Sequence, residues 1–169
     1  MPRPNENDFA AYYGRYIAQV KEDDLLTAFT NQNNIPESFL KSIPEAKWDY
    51  AYAEGKWTIK ELVQHLIDAE RIFAYRALRI ARKDETPLPG FDENTYAPAS
   101  EAGRRSSTVL MEEFVAVRKT TELLFKSFTN EMLQHKGVAS NQPVTVNALG
   151  FITVGHFYHH KNILEERYL

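Results

Sequence analysis

Apolar residues recur at helical rather than strand spacing along most of this chain. The clearest run begins at Thr58, where Thr58-Ile59-Lys60-Glu61 has the form of a reciprocal capping box. Leu62, Leu66, Ala69, Phe73, Ala77 and Ile80 then follow helical spacing. Arg79, Arg82 and Lys83 suit the negative end of that helix dipole, and Thr86-Pro87-Leu88-Pro89-Gly90 stops it. Upstream, residues 8–20 predict a short lead-in helix. A longer helix starts at Asp23 or Asp24, whose carboxylate can cap free amides. It turns Leu25, Leu26, Phe29, Leu40 and Ile43 inward, is kinked or restarted at Pro36, and ends at Pro44. The aromatic stretch 47–57, which holds Gly55, reads as a connection. Downstream, a loop runs through Phe91-Asp92-Glu93-Asn94 to Pro98. A third long helix spans Ser100 to Thr129, with Leu110, Phe114, Val117, Thr121, Leu124, Phe125 and Phe128 as its stripe. Residues 137–143 read as another loop, and the fourth helix runs from Thr145 almost to the C-terminus. Val144-Thr145-Val146 is the only stretch that resembles a strand, and it is short. Four long helices with three substantial connections predict an all-α four-helix bundle, one domain over residues 1–169.

Composition narrows the function classes. A chain of 169 residues can bury a real core as one domain. Its net charge of −3, with acids and bases interspersed, lacks the basic patch that a nucleic-acid grip needs. No apolar run reaches spanning length, and no basic-then-apolar leader opens the chain. The expectation is a soluble cytoplasmic protein with neither nucleic acid nor membrane as partner. Cysteine is absent, which removes disulfides, thiolate metal ligands and a cysteine nucleophile together.

The histidines carry the candidate chemistry. His156 and His160 lie four residues apart, one turn apart on one helix face. At about 100° per residue, Leu149, Ile152, Thr153, Ile163 and Leu164 mark an apolar stripe, and these two histidines fall roughly 20° either side of its centre. His159 falls roughly 80° away, toward the flank. His65, on the second long helix, lies about 60° from its apolar centre and still faces inward. An unpaired imidazole in an apolar stripe is costly, so this pattern asks for a polar purpose. Three imidazoles on one ion with a position left open is the arrangement of catalytic rather than structural metal sites. A single histidine on an apolar face is more often a satisfied core residue, and a His-x3-His pair can arise on a surface. Phe157 stands where zinc-protease helices carry their glutamate, so that base arrangement is excluded.

The run from Lys56 to Glu70 resembles the second-helix signature of the DinB-like superfamily. Pro89-Gly90-Phe91-Asp92-Glu93-Asn94 resembles that family's following loop, and Gly155 to His160 with the ending Glu165 to Leu169 resembles its last helix. The resemblance covers nearly the whole chain in the expected order. It implies an up-down-down-up four-helix bundle, commonly a homodimer, with a metal triad mapping onto His65, His156 and His160. It also implies a metalloenzyme acting on a small-molecule substrate. Some relatives are transferases that join a low-molecular-weight thiol to an electrophile, and one is a thiol-dependent isomerase. A divalent transition metal is expected, zinc or nickel first and iron next, although three imidazoles also accept copper. Such an ion can hold a cosubstrate thiol as thiolate, or generate hydroxide for hydrolysis. The readings kept open are a thiol-dependent S-transferase, a metal-dependent hydrolase, and a non-catalytic stress-related bundle whose metal is structural. In the last, His159 or a carboxylate would complete four protein ligands.

Other residues carry weaker expectations. Arg76 lies three turns from His65 and either binds a substrate anion or pairs with Asp92 or Glu93 to pin the loop. Asp92 is a candidate substrate-binding residue, and Asp92 or Glu93 could hydrogen-bond a ligand histidine. Trp57, Phe91 and Tyr96 are candidate pocket aromatics, and residues 87–98 a candidate lid. Glu70, Arg71, Arg76, Arg79, Arg82 and Lys83 read as a solvated helix face. No role is assigned to His135.

Overall fold

The computed structural model of the protein describes residues 2–169. Its long elements are α4 (Ile59–Ala81), α6 (Ser107–Lys126) and α8 (Val146–Arg167). The first bundle helix is two short ones, α2 (Leu25–Gln32) and α3 (Ile35–Ser42). Asp24 caps α2 by accepting from the Thr27 amide, and Pro36 occupies the first turn of α3, so the proline restarts the helix rather than kinking it. The capping box at Thr58 forms as its sequence predicts.

Side-chain pairs fix the directions. Arg105 meets Gln64 and Arg71 meets Glu113, so α4 and α6 run the same way. Trp57 meets Tyr168 while His65 meets His156, so α8 runs opposite to α4. Leu25 abuts Gly150 and Phe39 packs on Phe157, so α2 and α3 run with α8. The order is therefore up-down-down-up. The parallel pair α4 and α6 needs a long crossover, and residues 82–106 supply it.

Several predicted boundaries shift. The lead-in helix is only α1 (Gly14–Ile17), preceded by single 3-10 turns. The loop before Pro98 contains a short helix, α5 (Glu93–Ala99), capped by Asp92. The third long helix starts at Ser107 rather than Ser100, because Ser106 caps it by accepting from the Val109 amide. After α7 (Asn130–Gln134), the predicted loop 137–143 is a hairpin of β1 (Lys136–Ala139) and β2 (Gln142–Thr145). Ser140 and Asn141 both take positive φ, 52° and 60°, as a two-residue turn of this hand requires. Leu88 bridges to Ala139 and ties the proline-rich crossover to the hairpin.

The surface reading of α4 also needs correction at two positions. Glu70 and Arg76 are each only 2% exposed, whereas Arg71, Arg79, Arg82 and Lys83 remain at or near solvent. Glu70 pairs with Arg118 of α6 at 2.8 Å, Arg118 donates to Gln32 of α2, and Gln32 donates to the Val154 carbonyl of α8. One buried polar chain thus joins all four bundle helices two residues before His156.

Every residue from Val146 to Phe157 is buried, so the first half of α8 is enclosed on all sides rather than along one stripe. Two glycines permit that enclosure. A β-carbon at Gly155 would lie 2.0 Å from the Tyr16 carbonyl oxygen, and one at Gly150 would lie 2.5 Å from Leu25. Backbone cannot yield as a side chain can. Gly155→Ala gains about 1 kcal/mol of helix propensity, but the backbone clash outweighs it. The expected result is a net loss of about 1–3 kcal/mol in denaturant unfolding. A stability equal to or above that of the parent protein would contradict this packing.

Candidate metal centre

His65 projects from the second turn of α4, and His156 and His160 from the middle of α8. Because α4 and α8 pack antiparallel, three rings from distant parts of the chain meet. His65 Nε2 lies 3.1 Å from His156 Nε2, and His160 Nε2 lies 3.1 Å from the same atom. All three ligand atoms fall within 4.8 Å of one another. Among the described residues these three make up the group; His159 stands outside it, with its ring against Tyr16.

The cluster sits where two apolar cores meet. On α4 it lies between Leu62 and Leu66 on one side and Ala69 and Phe73 on the other. On α8 it lies between Val154 and Leu164. His156 is 4% exposed and His160 8%. Trp57 packs on His65 and Tyr16 on His156, each at 5.0–5.1 Å between ring centres. Burial therefore disfavours the charged imidazoles. His65 is held down to about 4 by burial, then by His159. His156 and His160 lie well below their ordinary value, first through burial and then through neighbouring imidazoles.

Neutral imidazoles converging this way leave hydrogen bonding incomplete. A neutral ring carries one N–H, so His156 Nε2 can donate to one neighbour at most. His160 Nδ1 is buried without a partner. A shared cation would satisfy all three Nε2 lone pairs at once. Bonds of about 2.0–2.1 Å to one ion bring its ligand nitrogens to roughly 3 Å from one another. The observed 3.1 Å spacings match that requirement, and the nitrogen donor set suits a divalent transition ion.

The cluster opens onto a cavity of about 330 Å³. Trp57, Phe73, Phe91 and the segment Tyr12-Tyr13-Arg15-Tyr16 form much of its wall, with Glu93 and Ser140 at the crossover side. A second cavity of about 240 Å³, lined by Tyr52, Lys56, Asn94 and Tyr168, shares Trp57 and His160 with the first.

The other predicted residues fall differently. Arg76 does not line either cavity; it donates to the Pro89 carbonyl at 2.8 Å and to Ser140 Oγ at 3.0 Å. It pins the crossover, as one reading had it, but through a carbonyl and a hydroxyl rather than Asp92 or Glu93. Asp92 is exposed, accepts from the Asn94 amide and lines neither cavity. Its neighbour Glu93 faces the cavity instead. Trp57 and Phe91 line it, and Tyr96 packs behind Phe91 at 5.3 Å. The wall formed by the lead-in segment escapes sequence reasoning. The signals for it are three tyrosines crowded around Arg15, and a glycine immediately before His156.

The depressed histidines predict the acid behaviour of the metal-free protein. Between their ordinary value of 6.5 and about 4, the unfolded chain binds protons that the folded chain does not. Stability should fall as pH drops through that window, with His65 alone contributing on the order of 3 kcal/mol. Urea unfolding from pH 7 to pH 4 checks this. A His65→Gln variant should show a shallower decline, and an unchanged slope would contradict the assignment.

Comparisons with known proteins bear on the fold and the family. The Bacillus subtilis protein YfiT, described as a probable metal-dependent hydrolase with an unusual four-helix bundle topology, aligns with a TM-score of 0.71 at 16% identity. That match covers 96% of this chain and 89% of YfiT. A mycothiol-dependent maleylpyruvate isomerase aligns with a TM-score of 0.68 at 13% identity, over 82% of this chain. This chain spans only 58% of that enzyme. At such identities these likenesses establish the fold. In sequence, a curated Oceanobacillus iheyensis protein, "Putative metal-dependent hydrolase OB0413", is 29% identical over 120 residues, 66% of this chain and 68% of its own. The sequence profile of the DinB superfamily matches residues 32–164, from the end of α2 through most of α8, and the chain belongs to that superfamily.

Proposed function

We propose that the protein is a metal-dependent enzyme in which His65, His156 and His160 hold one divalent transition ion facing the larger cavity. The observation that carries this reading is the convergence at the cavity wall of three neutral imidazoles, His156 and His160 buried and His65 half-buried. When bound, the ion supplies Lewis acidity, lowering the pKa of a thiol or water at its open position.

The reaction we favour is transfer of a low-molecular-weight thiol to a small electrophile. Two cavities meeting at Trp57 and His160 support it, because such a reaction needs room for two reactants. The chain has no cysteine, so the sulfur must come from a cosubstrate. Glu93 is the acidic residue on the cavity wall and would accept the proton that the thiol loses. The sulfur then forms a bond to the electrophilic carbon, the bond to the leaving group breaks, and the leaving group departs with the electron pair. Trp57, Tyr16 and Phe73 keep bulk water from the histidine faces. A thiol-dependent enzyme among the structural neighbours is consistent with this chemistry. The second reading is hydrolysis, favoured by the names of YfiT and the Oceanobacillus relative. Glu93 would then take its proton from water.

Metal titration of single variants tests the site. His65→Ala, His156→Ala and His160→Ala should each weaken zinc binding by more than about a hundredfold, because loss of a ligand exceeds the loss of a ligand's hydrogen-bond partner. His159→Ala should stay within a few-fold. Equal loss at His159, or undiminished loading of His65→Ala, would show that another set of residues binds the ion. The reaction is tested on the cobalt-loaded protein. Titration with a small thiol should produce a sulfur-to-metal charge-transfer band that disappears in His156→Ala. No band, together with metal-dependent cleavage of simple esters or amides, would replace thiol transfer with hydrolysis.

A further inference from the structure

Arg15 stands at the solvent-exposed rim of the cavity and has no acidic partner among the described residues. Its guanidinium lies 4.0 Å from the centre of the Tyr12 ring and 4.9 Å from that of Tyr16, and it donates to the Tyr16 hydroxyl at 3.0 Å. The two tyrosine hydroxyls lie 3.2 Å apart. No carboxylate comes within ion-pairing distance of Arg15 among the described residues. The two buried arginines differ. Arg118 is paired with Glu70, and Arg76 is spent on the crossover backbone and Ser140.

The backbone that carries Arg15 is fixed by its neighbour Tyr16. The Tyr16 carbonyl is seated against Gly155, where any side chain would collide with it. The Tyr16 ring then packs edge-on to His156 and His159, each at 5.1 Å. A single aromatic ring therefore separates the guanidinium from the histidine cluster, and both groups line one cavity. Two rings flank the guanidinium, and its bonds to the Tyr16 and Tyr12 side chains leave further N–H donors of its five for a ligand. A planar fork of this kind matches a carboxylate through two parallel hydrogen bonds.

We propose that Arg15 is the anion-binding and specificity-determining residue of this cavity, and that the substrate carries a carboxylate there while its reacting atom faces His65, His156 and His160. This rests on the reading of those histidines as a metal site. A monoanion fits better than a phosphate dianion, because the charged lining besides the histidines is one arginine and one glutamate, Arg15 and Glu93. Phosphate sites generally bring several donors to bear.

The test uses the zinc-loaded protein and two metal-seeking probes of matched size, the monohydroxamate of succinate and uncharged butyrohydroxamate. Hydroxamates bind an accessible ion whichever reaction the enzyme performs. Calorimetric titration should show the carboxylate-bearing probe binding at least about tenfold more tightly, the worth of a charge-assisted hydrogen bond. In Arg15→Gln that preference should vanish, while butyrohydroxamate binding stays within about twofold of the parent. Arg15→Lys, which keeps the charge but not the fork, should retain part of the preference. A thermal melt of each variant reports any loss of folding separately. Equal binding of the two probes by the parent protein, or a preference undiminished in Arg15→Gln, overturns the proposal and leaves the metal site standing. Failure of the parent protein to load zinc, or of loaded protein to bind either probe, overturns both.

Discussion

The first half of α8 is packed against protein on every side, and that enclosure sets the conditions for the rest of the molecule. A helix so placed needs close neighbours, so glycine stands at 150 and 155 where Leu25 and the Tyr16 backbone press in. It also needs its neighbours in register. The buried chain of Glu70, Arg118, Gln32 and the Val154 carbonyl crosses all four bundle helices. Such a pair is a weak source of net stability, but removing one partner leaves a buried charge uncompensated. Its value here is positional: it ends two residues from His156.

Enclosure then determines the charge state of the site. Imidazoles taken out of water give up their protons, and the three that meet between α4 and α8 present lone pairs to one another. This is an unfavourable arrangement for a bare polypeptide and a favourable one for a cation. Around it the formal charges are sparse. Arg15 and Glu93 enter the same cavity from separate segments, the lead-in turns and the crossover. The crossover is itself held by Arg76, Ser140 and the Leu88 bridge. Bundle helices thus carry the metal-ligand candidates, and connecting segments carry the groups that would meet a substrate.

That division explains what could be read from sequence. The stripes of α4 and α6, the caps at Asp24 and Thr58, and the inward direction of His65, His156 and His160 follow from helical periodicity, which is local. The wheel for α8 treated it as having one apolar face, yet it still selected the two histidines that meet His65. Glu70 is legible in sequence only as a charge in a charge-rich stretch, and Arg76 as a charge that could pin the loop but not as a buried one. Their burial depends on Arg118, Gln32, Pro89 and Ser140, which are 13 or more residues away in sequence. The hairpin at 136–145 lacks a glycine in its turn, so the usual signal was missing. The role of Arg15 requires knowing that residues 11–17 fold back over Gly155, a contact that no local pattern specifies.

The central claim is an ion bound by three imidazoles with one position open to the cavity. X-ray absorption at the metal edge of the zinc-loaded protein tests it most directly, because the spectrum counts imidazoles and identifies the remaining scatterers. The account predicts three imidazole ligands and one solvent oxygen, with the oxygen replaced by sulfur when a small thiol is added. A shell of four protein ligands unaffected by thiol would make the metal structural. A shell with fewer than three imidazoles would contradict the assignment of His65, His156 and His160.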